Sequence, residues 1–445
     1  MNSFAWVFRP VFTSCMRINS HLQNYGPVST GTLSSSMETQ RPPKIQATSR
    51  AKDIMSAYYL EAKNAAENGR KTAWVNGGGL VELLVAMDVM PVYPENHAAM
   101  CGAYKMGAEL CEIAEGMGYS RDLCSYARCD IGSAVTGKSP IMGLPKPDFL
   151  LCCNNTCGMV TKWYEALARL FNVPLVYIDT PFIHDDLTEN ALTYTKRQIF
   201  RAIEQMESLL GTRFEMDRLC EVVTHAAKAT RLWGDILAMC QHIPSPMTAF
   251  DGFILMAPIV TLRGMPEIVD FYELLKAELE ERMTQGIAAI PGERYRILWD
   301  NLPVWFKLRD LSERFLKLKT CIAASTYVSG WASYELDGKE PIDAIARAYS
   351  CAFINRSIEY RAEMLRHLVE DYSIDGIIFH SNRSCRPYSL GQYDMKEMLW
   401  ERARVPSVLV EADMNDERTF AEGPVLTRIE AFIETLEPKR AVGAA

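Results

Sequence analysis

The strongest constraint on the fold is a short apolar run that stops abruptly in polar residues and one thiol: Gly376-Ile377-Ile378-Phe379-His380-Ser381-Asn382-Arg383-Ser384-Cys385-Arg386-Pro387. It is too short for a helix, is bounded by Gly376 and Pro387 and lies between helical patterns. It therefore reads as a strand of a parallel sheet covered on both faces. In such sheets ligands bind beyond the carboxyl ends of the strands, which is where Cys385 falls. The design repeats in Pro147-Asp148-Phe149-Leu150-Leu151-Cys152-Cys153, followed by the polar turn Asn154-Asn155-Thr156-Cys157-Gly158.

Similar runs at 72–76, 89–93 and 173–179 alternate with helical periodicity, as do those at 295–300, 320–325 and 406–411. Alternating strand and helix implies right-handed crossovers and parallel sheets. Residues 190–285 switch to helical spacing, with Ile199, Ile203, Met206 and Leu210 on one face and Gly211 as a C-cap. The expected fold is α/β, with two doubly wound Rossmann-like parallel-sheet domains over 49–188 and 289–445. A helical segment over 189–288 separates them, and the site lies in the cleft between the two domains.

A net charge of −8, without a basic stripe or nucleic-acid motif, argues against a nucleic-acid partner. No apolar run approaches bilayer length, so no membrane partner is expected. Thirteen cysteines without a recognisable secretory signal, and in odd number, argue against a disulfide framework. The thiols are left to packing, redox chemistry or metal ligation, and no Cys-x-x-Cys pair points to a zinc ribbon. Residues 1–48 differ from the rest. Met1 to Met37 holds no Asp or Glu, which reads as a disordered or mis-assigned extension with translation starting at Met37, or as a transit peptide.

Candidate chemistry sits at strand ends. Cys157 and Cys385 follow strands in different units, and Cys124 in Asp122-Leu123-Cys124-Ser125 adds a third thiol. Three thiolates would hold an iron–sulfur cluster or zinc and leave one position open, but their spacing matches no compact motif, and sequence physics alone favours buried structural thiols. Gly77-Gly78-Gly79 between strand and helix could bring N–H groups against a phosphate or acyl carbonyl, or simply form a tight turn. Glu82, Glu95 and His97 are the acid/base candidates, each of which also serves as a cap or turn residue. Asp413 and Asp416 read as helix caps. Trp299, Trp305, Phe306 and Tyr388 would line an acyl pocket or pack in the core.

The strings Tyr93-Pro94-Glu95-Asn96-His97-Ala98-Ala99, Cys124-Ser125-Tyr126-Ala127-Arg128, Asn154-Asn155-Thr156-Cys157 and Glu411-Ala412-Asp413-Met414, with residues 379–394, resemble the benzoyl-CoA reductase / 2-hydroxyacyl-CoA dehydratase family. Within it the chain is most similar to B-type subunits of ATP-dependent benzoyl-CoA reductase. The resemblance covers nearly everything after the N-terminal extension.

The resemblance implies a [4Fe-4S] cluster held by Cys124, Cys157 and Cys385, with Cys129, Cys152 and Cys153 as non-ligand neighbours. It also implies a related smaller cluster-bearing subunit, an ATP-hydrolysing iron–sulfur activator that delivers single electrons, an acyl-CoA thioester substrate and a cytoplasmic setting. Reduction of an aromatic acyl-CoA such as benzoyl-CoA is the first expectation and dehydration of a 2-hydroxyacyl-CoA the second. An electron-transfer protein of the double-cubane type and a non-catalytic ligand-binding protein with inert thiols are the alternatives from other classes.

Overall fold

A computed structural model describes residues 41–141 and 143–436. The extension expected over 1–48 therefore lies outside the described residues up to position 40. Of its remainder, Ile45 is buried and the Gln46 and Ala47 N–H groups donate to Glu278 ahead of the Ala47–Asn64 helix.

Eight strands form two parallel sheets, as the apolar runs require. The first contains β1 (Thr72–Val75), β2 (Met90–Val92), β3 (Phe149–Cys153) and β4 (Leu175–Ile178) in the order β2-β1-β3-β4. The second contains β5 (Tyr295–Asp300), β6 (Thr320–Ser325), β7 (Gly376–Asn382) and β8 (Ser407–Ala412) in the order β6-β5-β7-β8. The central strands are buried along their whole length apart from Ser381 in β7, which explains why they read as continuous apolar runs.

Both sheets reverse direction of winding at one place, between β1 and β3 and between β5 and β7. Such switch points open a crevice beyond the strand ends. The glycine run and the 154–157 turn follow β1 and β3, and the Cys385 turn follows β7, so both crevices carry the residues singled out by sequence.

Helices Glu189–Leu210, Met216–Met239 and Pro266–Thr284 dominate the segment between the sheets. Thr188 caps the first by accepting from the Ala191 N–H at 3.2 Å, and Gly211 ends it at φ 68°. Ile199, Ile203 and Met206 turn inward from it, and the rings of Trp233 and Tyr272 meet between the other two helices at 5.3 Å. No described helix is long and apolar enough to cross a membrane.

The turn after β8 fastens the second sheet to helices of the first unit. Asn415 donates to the Ala98 carbonyl at 2.8 Å, and a Cβ on Gly102 or Gly107 would come within 1.9 or 2.2 Å of Asn415 atoms. Glycine is required at both positions by this close approach. Asp413 takes the N–H groups of Asn415 and Asp416, and Asp416 caps the short Glu417–Thr419 helix. Asp416 also pairs with Arg128 at 3.0 Å and Arg418 at 2.6 Å, and both arginines reach Glu115.

Candidate functional site at three helix-capping thiols

Cys124, Cys157 and Cys385 share one local structure: each is the residue immediately before a helix. They precede Ser125–Thr136, Gly158–Phe171 and Arg386–Ser389 respectively. A helix start leaves N–H groups without intrahelical partners. Those of Tyr126 and Ala127 favour the ionised form of Cys124, those of Met159 and Val160 that of Cys157, and that of Tyr388 that of Cys385.

The three sulfurs come from two sheets yet lie within electrostatic reach of one another. Burial pushes all three thiols up, Cys124 to about 12, and the nearby sulfurs add to the rise at Cys124 and Cys385. Burial therefore favours the neutral thiols, and a metal centre bound by them would have to displace their protons.

Hydroxyl and carboxylate groups hold the turns together. The Ser125 N–H donates to Ser384 Oγ at 3.2 Å, and Ser384 Oγ donates to Asp413 Oδ2 at 2.5 Å. This ties the residue after Cys124 to the residue before Cys385. On the other side, Asn154 Oδ1 accepts from the Thr180 N–H and hydroxyl at 2.8 Å, and Asn155 Nδ2 donates to the Tyr349 carbonyl at 2.9 Å. Gly78 packs on Asn155 so closely that a Cβ would stand 2.1 Å from its Oδ1. The glycine run is thus a turn pressed against the Cys157 turn.

Glu95 joins this group. It is half-buried in the second position of the Pro94–Ala103 helix and accepts the Gly77 N–H at 2.6 Å. Its charge acts on Cys157, Tyr126 and Tyr327, and burial raises its own carboxyl to about 8. At neutral pH Glu95 carries a proton.

His97, further along the same helix, faces Ser139 Oγ at 2.8 Å and Cys101 Sγ at 3.7 Å. Glu82 lies deeper, paired with Arg263 at 3.1 Å and accepting from the Tyr349 hydroxyl at 2.7 Å. The structure therefore brings Glu95 to the thiols and places Glu82 and His97 in other surroundings.

Of the aromatic residues suggested by sequence, Trp305 donates its indole N–H to the Tyr126 hydroxyl. Trp299 packs on His380 and Phe306 on Phe420, while Tyr388 is buried against Phe353. Sequence reading missed Tyr126, Tyr327 and Trp331. The Tyr327 hydroxyl feels Glu95, Tyr126 and Cys385. Trp331 stands 3.3 Å from where a Cβ on Gly77 would be. Tyr327 and Trp331 closely follow β6, and the strand-end rule applied to Cys385 would have marked them too.

Among the described residues no three His, Cys, Asp or Glu side chains converge closely enough to hold a single metal ion. A cluster makes a different demand, because its thiolates bind separate irons and need not meet at one point. Three sulfurs at helix starts, separate but within electrostatic reach, fit that demand.

Two parallel sheets, each with a switch point and a thiol-bearing turn beyond its strand ends, define a two-sheet α/β protein. Its sequence matches the family model described as 2-hydroxyglutaryl-CoA dehydratase, D-component, over residues 80–436, and the chain belongs to that family. It is 36% identical over 392 residues to the (R)-2-hydroxyisocaproyl-CoA dehydratase alpha subunit of Clostridioides difficile, covering 87% of this chain and 95% of the relative. The lactoyl-CoA dehydratase alpha subunit of Anaerotignum propionicum is 31% identical over 86% of this chain and 94% of its own. The B-type subunit of benzoyl-CoA reductase from Thauera aromatica is 28% identical over 88% and 94%.

Proposed function

We propose that the chain is the alpha-type, cluster-bearing subunit of a 2-hydroxyacyl-CoA dehydratase. The three helix-capping thiols carry this reading, because they supply a ligand set with one position left over. Ring reduction, the first expectation from the sequence, gives way to dehydration: relatives above 30% identity are named as dehydratase subunits, while the B-type benzoyl-CoA reductase relative stands at 28%. Reduction of an aromatic acyl-CoA is the second reading.

A [4Fe-4S] cluster would be held by Cys124, Cys157 and Cys385 and would supply single low-potential electrons. The polypeptide's share is to hold, orient and exclude water. Backbone N–H groups of three helix starts stabilise the thiolates. Tyr126, Tyr327 and Trp331 give the Glu95 side of the site an aromatic wall that keeps water out.

Glu95 holds a proton at its carboxyl at neutral pH and can give it to a leaving hydroxyl. Changing Glu95→Gln keeps an acceptor for the Gly77 N–H but removes the transferable proton. The expected result is a loss of about 10²-fold or more in turnover with iron content unchanged. Wild-type turnover in that variant would remove Glu95 from the chemistry.

The deciding experiment is anaerobic co-production with a related smaller subunit and an ATP-hydrolysing activator, followed by feeding 2-hydroxyisocaproyl-CoA, lactoyl-CoA and benzoyl-CoA separately. Enoyl-CoA formation from a 2-hydroxyacyl thioester is expected, and a cyclic diene product from benzoyl-CoA alone would establish the second reading instead. The isolated chain is expected to be inactive, since electron delivery and cluster pairing are divided among subunits. Sustained turnover without an activator would contradict the assignment.

A further inference from the structure

Two thiols outside the candidate site face each other across a helix pair. Cys101 lies on the Pro94–Ala103 helix and Cys129 on the Ser125–Thr136 helix, both fully buried. The two side chains act on one another, each being the largest influence on the other's ionisation. His97, one turn before Cys101, brings Nε2 to 3.7 Å from the Cys101 sulfur and 2.8 Å from Ser139 Oγ. Asp130, beside Cys129, acts on His97 and binds the Trp163 indole N–H at 3.1 Å.

We propose that Cys101 and Cys129 form a dithiol modification site that hydrogen peroxide closes to an intramolecular disulfide. The neighbouring Cys129, with His97 Nε2 3.7 Å away, favours ionisation of Cys101, whereas Cys101 disfavours it at Cys129, so the two thiols have different roles. A thiolate is the nucleophile toward peroxide, and a second thiol in contact is what diverts the product to a disulfide.

The Cys101 sulfur attacks one peroxide oxygen and the O–O bond breaks. The departing oxygen takes the proton that His97 had accepted from the thiol and leaves as water, with a sulfenic acid on Cys101. The Cys129 sulfur then attacks the Cys101 sulfur, an S–S bond forms and the S–O bond breaks. The hydroxyl leaves with the Cys129 proton as a second water. Two thiols are oxidised by two electrons in total, and one peroxide is reduced by two.

Burial selects the oxidant. A glutathione disulfide or a protein thiol cannot reach two fully buried sulfurs, whereas peroxide is little larger than water. His97 gives the pair its link outward, since Ser139 lies in the half-buried stretch after the Ser125–Thr136 helix. Other buried thiols lack this arrangement: burial raises Cys111 and Cys321, and Cys152 and Cys153 are neighbours in a strand, pointing to opposite faces.

The disulfide would join two helices that begin at the candidate site, one carrying Glu95 and the other capped by Cys124. The inference does not depend on the proposed reaction, because its readout is covalent.

The test is to treat the full chain, prepared anaerobically, with increasing hydrogen peroxide. It is then quenched in acid, its free thiols are alkylated in denaturant, and its tryptic peptides are mapped by mass. The expected product joins peptides 72–105 and 129–138 at a mass two hydrogens below their sum, is released by dithiothreitol and precedes any sulfinic acid on either residue. Cys101→Ala should abolish the link and leave Cys129 alkylated. If that variant does not fold, His97→Gln should slow the linking in an otherwise intact chain. Full alkylation of Cys101 and Cys129 while Cys124, Cys157 and Cys385 are already oxidised would overturn the proposal, as would sulfinic acid on Cys101 without any linked peptide.

Discussion

Changing Cys124, Cys157 or Cys385 to Ser, one at a time, is expected to lower bound iron and abolish activity. Cys153→Ser and Cys129→Ser should keep most of both. The contrast is geometric. The first three sulfurs cap helices and feel one another's charge, whereas Cys153 is buried in β3 near Thr180 and Cys129 lies one turn inside its helix, against Cys101. A buried thiol that only packs loses little when made nearly isosteric, apart from roughly 1–3 kcal/mol for desolvating the hydroxyl. A lost ligand leaves two anchors and exposes a second iron to oxidation. Iron per chain, measured anaerobically across the five variants, is the check. Full iron retention in Cys385→Ser would refute the cluster assignment.

Arg128→Ala is expected to destabilise the fold by about 3–5 kcal/mol, read as a drop in denaturation midpoint, and to reduce iron content as well. Arg128 is 2% exposed and donates in three directions: to Glu115 at 2.5 Å, to the fully buried Asp416 at 3.0 Å and to the Leu123 carbonyl at 3.1 Å. The second bond holds the turn after β8 to the first unit, the first joins two of that unit's own helices, and the third shapes the chain just before Cys124. Lysine has no planar fork to make all three, so Arg128→Lys should recover only part of the loss. An unchanged midpoint in Arg128→Ala would mean that Arg418, which also pairs with Asp416, carries the connection alone.

The eight strands were legible because short apolar runs ending in polar turns have little other interpretation in a chain of alternating periodicity. The thiols at their ends were legible for the same reason. Glu95 reached the site through its place just after β2, but so did His97 at the sequence level, and only the turn of the helix separates them. Glu82 looked equally available, and its pairing with Arg263 spans 181 residues that no local pattern connects. Tyr327 and Trp331 went unnoticed because they carry no thiol or carboxylate. The order of the two expected reactions could not come from these residues at all, since the capping thiols serve either one, and similarity to named relatives reversed it.

The hydroxyl bridge from Ser125 through Ser384 to Asp413 joins residues far apart in the chain, and this fixes when the site can exist. As the protein leaves the ribosome, its first sheet and the Cys124 and Cys157 turns can fold early, N-terminal parts first. Cys385 has no seat until β8 and the turn through Asp416 have been made, because that turn supplies the carboxylate and the arginine partner that close the two halves together. The thiol set is therefore completed only after residue 416 has been made. Any oxygen-labile group it receives must be loaded into a finished polypeptide, and a nascent chain stalled before residue 413 would have no complete place to put one.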